Sequence, residues 1–162
     1  MTDHVARVME QWRRERPDLD PSPQGVIARL HRVGLRLTEE LVAVYAEHGL
    51  GEGEFDVLAT LRRQGPPYAL TPGDLAAQTM VTTGAVTKRV DRCIAQGWVT
   101  RAVSADDARG RVIALTDAGR ELIDGAFTAH MANEHRLLEV FTAAELEQLA
   151  GLLQRWAEDL GA

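Results

Sequence analysis

The 162-residue chain holds a single cysteine, Cys93, which excludes an intrachain disulfide and agrees with a reducing compartment. No apolar run approaches the roughly 20 residues that a bilayer-crossing helix requires. Asp3, His4, Arg7 and Glu10 stand where a secretory signal needs an apolar stretch, so the expected compartment is the cytoplasm and no membrane partner is expected. The histidines are scattered, and His130 and His135 have a poor spacing for two metal ligands on one helix face. There is no phosphate loop, dinucleotide fingerprint or nucleophile elbow, so neither an enzyme nor a cofactor nor a metal is expected. Internal repeats and low-complexity tracts are also missing.

A hydrophobic content of 45% is enough to bury a real core in one domain, or in one domain with helical extensions. The net charge of -6 hides an uneven distribution. Residues 82–111 carry six Lys/Arg against three Asp/Glu, while 1–81 carry nine against twelve and 117–162 three against nine. The middle stretch is the only net-positive one. Charge fluctuates along any chain, so this asymmetry by itself assigns nothing.

The spacing of Val5, Val8, Met9 and Trp12 predicts a helix from about Asp3 to Arg16, stopped by Pro17. Ser22 followed by Pro23 reads as a cap with proline at the first helical position of a long helix reaching His48. Gly49 and Gly51 end that helix, and a further one carries Phe55, Leu58 and Leu61. In the last third, Thr116 can cap a helix to about Val140, and Thr142 with Glu145 makes a capping box for a helix reaching Leu160. The apolar positions of these two helices, including Leu122, Phe127, Leu137, Leu138, Leu146, Leu149, Leu152, Leu153 and Trp156, exceed what one small domain needs to bury. The excess points to a subunit interface, with packing on the same chain as the alternative.

In the centre of the chain, Thr71-Pro-Gly-Asp-Leu-Ala-Ala-Gln opens with a cap and a first-turn proline and predicts a short helix. After a turn around Thr79 to Thr82, a second helix runs from Thr83 to about Gln96 and stops at Gly97. This is a helix-turn-helix. On a helical wheel Val86, Val90, Cys93, Ile94 and Gly97 face inward, while Gly84, Lys88, Asp91 and Arg92 face outward. Small residues and hydroxyls at the front (Thr82, Thr83, Gly84 and Thr87) allow close approach to a major-groove floor, where Lys88 and Arg92 reach phosphates or guanine edges. The competing reading is an ordinary amphipathic surface helix.

The following residues decide between these readings. Trp98 to Val103 and Val112 to Leu115 are strand candidates around a polar loop, so a β-hairpin comes directly after the helix-turn-helix. In such a wing Arg109 or Arg111 can enter the minor groove, with Asp106 or Asp107 pairing a neighbouring arginine. The expected fold is mainly α with a small β-hairpin: a winged helix-turn-helix over 51–115, N-terminal helices over 1–50, and C-terminal dimerisation helices over 116–162.

The chain resembles the MarR family over nearly its whole length. The residues that carry the likeness are Asp107-Ala-Arg109, Leu115-Thr116 and Gly119, preceded by Leu75-Ala76 and the helix from Thr83-Gly84 to Gly97. The resemblance implies a homodimeric transcription regulator, a repressor, that binds double-stranded DNA at a pseudo-palindromic promoter site. Two-fold symmetry would place the half-sites roughly 10 bp apart. The extra N-terminal helix, with Arg16-Pro-Asp-Leu-Asp and Arg29-Leu-His, resembles the PecS-like, urate-responsive branch. That resemblance implies a pocket for a small planar anion at Trp12, Asp56, Arg89 and Arg101, in which an anion held by Arg89 and Arg101 competes with Asp56 and releases DNA. Against it stand structural roles for the same side chains: Trp12 as core filler, Asp56 solvated or in an ion pair, and Arg89 on phosphate. Three other readings remain open: a regulator without a ligand, a redox sensor acting through Cys93, and a winged helix that binds protein.

Overall fold

Short polar side chains decide where most of the helices begin. The computed structural model describes residues 3–79, 83–103 and 111–161, with the backbone alone for 83–85 and 103. The chain divides into two units, residues 1–43 and 44–162. In the first, Asp3 caps α1 (His4–Glu15) by accepting from the Ala6 N–H at 2.7 Å. The same carboxylate takes both Nε and Nη2 of Arg29, at 2.6 and 3.2 Å, and that guanidinium holds it at a pKa of about 2. Arg29 lies on α2 (Gln24–Glu47), so the cap also ties the two helices together. Ser22 does not act as the expected hydroxyl cap. α2 starts at Gln24, with the Ile27 N–H on the Pro23 carbonyl at 3.0 Å, so Ser22 stands one residue before the capping position, and its Oγ donates to Asp20 at 2.6 Å.

The second unit starts with the last turn of α2 and continues with α3 (Glu52–Arg62), β1 (Ala69–Leu70), α4 (Pro72–Gln78), α5 (Thr83–Ala95), β2 (Val99–Val103), β3 (Arg111–Leu115), α6 (Asp117–Leu138) and α7 (Ala143–Leu160). Thr71, Thr116 and Thr142 cap α4, α6 and α7 as their sequence positions predict, and Thr142 and Glu145 close the reciprocal capping box. The sheet is antiparallel with order β1-β3-β2. The expected hairpin is β2-β3, paired from Val99↔Leu115 to Val103↔Arg111. The short strand β1, paired Ala69↔Ala114 and Leu70↔Ile113, adds to it. Two residues are too few to leave an alternating pattern, so β1 has no sequence signature.

The core of this unit is built around α3, whose Phe55, Val57, Leu58 and Leu61 are buried together with Leu75 of α4, Val86, Val90 and Cys93 of α5, Val99, Ile113, and Ile123 and Ala126 of α6. Each fully buried leucine of this set contributes about 1.5–3 kcal/mol. A buried aromatic group closes one end: the Tyr45 ring stacks on Phe55 with centroids 3.9 Å apart, and its hydroxyl meets His130 Nδ1 at 3.3 Å. Burial pushes the Tyr45 phenol up to about 12.

Two glycines determine how the hairpin joins the helices. Gly97 has φ 74° and lets the Trp98 N–H return to the Cys93 carbonyl at 3.0 Å, which stops α5 and turns the chain into β2. Gly119, in the first turn of α6, sits so close to β2 that a Cβ there would lie 1.9 Å from the Trp98 carbonyl oxygen. The Thr116 hydroxyl fixes the same junction by donating to the Gly97 carbonyl at 2.8 Å while accepting from the Gly119 N–H at 3.0 Å. Backbone cannot retreat here as a flexible side chain would. Gly119→Ala is therefore expected to cost about 3 kcal/mol of stability. A urea melt checks this: the midpoint should fall, and an unchanged midpoint would mean that α6 can shift without penalty.

Candidate nucleic-acid interface

The hydroxyl of Thr71 accepts from the Asp74 N–H at 3.1 Å and starts α4, and the Thr79 hydroxyl donates to the Leu75 carbonyl at 2.9 Å as the chain leaves it. α5 then presents two unlike faces. Val86, Val90 and Cys93 are at most 3% exposed, while Thr87, Lys88, Asp91 and Arg92 lie on the exposed side. Val86, Val90 and Cys93 face inward and Lys88, Asp91 and Arg92 outward, as the wheel predicts, whereas Ile94 is only half-buried and Gly97, expected inward, is exposed where the helix ends.

Of the residues expected to meet DNA, Thr87, Lys88 and Arg92 share the exposed face of α5, and Arg111 is exposed at the start of β3. Thr83 and Gly84 form the first turn of α5. Thr82 and Arg109, with Asp106 and Asp107, lie outside the described residues.

Three acidic side chains hold three of the arginines of this region. Arg89 turns inward, 20% exposed, and pairs with Asp56 of α3 at 3.4 Å. Its aliphatic stem crosses the α3 backbone at Gly53, where a Cβ would lie 2.5 Å from its Nε and 2.9 Å from its Cγ. Burial raises the Asp56 pKa above the usual carboxylate value, and the Arg89 charge opposes that rise. Arg92 gives its Nε–H to Glu54, also on α3. Arg101 of β2 pairs with Asp91 of α5 at 2.6 Å, both side chains about half-exposed, a pair worth little to stability in water.

The four residues expected to hold a ligand therefore fall into three settings. Asp56 and Arg89 touch, and Arg101 is bound to Asp91. Trp12 belongs to the first unit, on α1, with 46% of its surface exposed. Sequence reasoning missed Glu54 and the pairing of Asp91. Glu54 could have been suspected from its place in the first turn of α3, but its partner is 38 residues away and no local pattern connects them.

A model of the MarR family matches residues 48–110. The chain is 40% identical over 151 residues to the HTH-type transcriptional regulator PecS of Dickeya dadantii (strain 3937), covering 93% of this chain and 91% of that one. The chain belongs to the MarR family. Among solved structures it superposes on a cysteine-to-serine mutant of Escherichia coli MarR complexed with operator DNA, with TM-score 0.70 and 26% identity over 82% of this chain and 92% of that one. AbsC, a MarR family regulator from Streptomyces coelicolor, shares the fold at TM-score 0.78 and 24% identity, covering 88% of this chain and 96% of that one. As a MarR-family protein the chain is a DNA-binding transcriptional regulator and not an enzyme, with α4 and α5 as its helix-turn-helix and β2-β3 as its wing. No helix among the described residues is long and apolar enough to cross a membrane.

Cys93 bears on whether this MarR-family regulator senses oxidants. Its side chain is fully buried on the inner arc of α5, and burial, reinforced by the Glu54 charge, pushes the thiol up to about 12. At pH 8 only about one thiol in 10,000 is then ionised, against a large fraction for an exposed cysteine. Iodoacetamide is expected to label Cys93 far more slowly in the native protein than in urea, with DNA binding indifferent to peroxide. Equal labelling rates in the two states would restore the redox reading.

Proposed function

We propose that the chain is a homodimeric repressor that sets two copies of α5 into successive major grooves of a pseudo-palindromic operator and leaves DNA when a small planar anion such as urate binds. In this reading residues 51–115 read DNA, while 1–50 and 116–162 supply the dimer contacts. The observation that carries it is the exposed face of α5. Thr87, Lys88 and Arg92 lie together on it, within the net-positive stretch 82–111 of a chain whose overall charge is -6, so two cations face outward from the helix that the fold presents for groove reading. Arg111 on the wing extends the positive surface.

The dimer is supported by apolar surface. Val26, Ile27, Leu30 and Val33 of α2 are 60, 44, 41 and 52% exposed, and Leu152, Leu153 and Leu160 of α7 are 46, 41 and 67% exposed. α7 contains no buried residue in the single chain, and an 18-residue helix with an unburied leucine face is unstable in water until another surface covers it. A second copy of the chain supplies that cover.

The ligand-release step is supported by the Asp56–Arg89 pair. An anion entering beside it competes with Asp56 for the guanidinium, and two negative charges at one half-buried arginine repel. Arg89 is on α5, so any shift of that pair moves the reading helix.

Lys88→Ala is expected to weaken binding to specific and non-specific duplexes alike and to reduce the slope of log affinity against log salt by about 1. Fluorescence anisotropy over a salt series measures this, and an unchanged slope removes Lys88 from the phosphate contacts. For the ligand, urate titrated into the protein–DNA complex is expected to release DNA, and Arg89→Ala to abolish the response. DNA that stays bound at millimolar urate rules out that effector.

A further inference from the structure

Arg89 and Arg92 both reach α3, but they meet it differently. Arg89 is drawn inward until its side chain is 20% exposed. Arg92 stays 62% exposed although its carboxylate partner, Glu54, is only 13% exposed. The bond uses one donor of the guanidinium, the Nε–H. An arginine carries five N–H donors in a rigid plane, so a carboxylate that holds the Nε–H fixes that plane and leaves the terminal nitrogens facing solvent. The seat of this carboxylate is also built: a Cβ at Gly51 would lie 2.5 Å from Glu54 Oε2, so the acid folds into the space that the glycine leaves at the start of α3.

We infer that Glu54 is a positioning residue for DNA recognition, buttressing Arg92 so that its terminal guanidinium nitrogens are presented outward from α5 in one orientation. The inference rests on the proposed role of α5 as the groove-reading helix. A largely buried carboxylate beside a DNA surface is unfavourable for affinity by charge alone, since it opposes the phosphates. What it contributes is orientation. A free arginine follows any phosphate, whereas a guanidinium with its plane already set meets a bidentate acceptor pair, such as the edge of guanine, with less ordering cost and rejects a mismatched edge. Glu54 thus adds discrimination between sequences, not attraction to DNA.

The test uses two duplexes of equal length, one selected by the wild-type protein from a random-sequence pool and one a shuffled version of it. Glu54→Ala is expected to lower the ratio of specific to non-specific affinity about tenfold while leaving non-specific affinity equal or higher. Glu54→Gln, whose amide oxygen still accepts the Nε–H, should keep most of the ratio. Arg92→Ala should lose the ratio, and adding Glu54→Ala to it should lower the ratio no further, because Glu54 acts through Arg92. Arg92→Lys, which keeps the charge but has no planar fork, leaves the Gly51 seat untouched and should lose the ratio with little loss of non-specific binding. That variant decides the matter if Glu54→Ala does not fold. A wild-type ratio in Glu54→Ala or Arg92→Lys, or a further loss in the double variant, overturns the inference. If Arg92→Ala weakens specific binding while Glu54→Ala does not, only the buttress fails. If Arg92→Ala binds as wild type does, Arg92 leaves the DNA interface and the buttress falls with it.

Discussion

A helix can read a groove only if its inner face is held firmly enough that its outer side chains have known positions. In this protein that restraint is the docking of α5 on α3. The apolar side of α5, Val86, Val90 and Cys93, is buried in the core built around α3, and the polar part of the docking is the pair of arginines that reach across to Asp56 and Glu54. Two glycines make room for these side chains. Gly53 accommodates the stem of Arg89, and Gly51 accommodates the Glu54 carboxylate. A Cβ at either position would force the side chain out of its present seat.

Of the cations around α5, Arg89, Arg92 and Arg101 each have a carboxylate partner from the same chain. Each pair offsets charge, so the carboxylates set where the guanidinium groups lie and do not strengthen the positive field. The docking of α5 on α3 also makes α5 sensitive to events at α3. The Asp56 carboxylate is half-buried and already above its usual pKa, so its balance with Arg89 responds to any further negative charge placed beside it.

The junction of α6 with the hairpin performs the corresponding task for the wing. Thr116 and Gly119 act through one small space: the hydroxyl bridges the Gly97 carbonyl and the Gly119 amide, and the glycine lets the Trp98 carbonyl approach. Recognition helix, hairpin and α6 are thus joined within a few residues around Gly97.

Much of this could be read from the chain itself, because the signals involved are local. Caps at Thr71, Thr116 and Thr142, the stop at Gly97 and the two faces of α5 depend on residues within a turn or two of one another, so the helix-turn-helix, the β2-β3 hairpin and the outward placement of Lys88 and Arg92 followed from the sequence. The cap expected at Ser22 is absent and the strand β1 was not expected. α2 starts one residue too late for Ser22 to cap it, and β1 exists by pairing with β3 some 44 residues away. The ion pairs of the site belong to the same class. Which carboxylate meets which guanidinium across 33 or 38 residues is settled by how closely two helices pack, and only the folded chain, with its glycine gaps in α3, contains that distance.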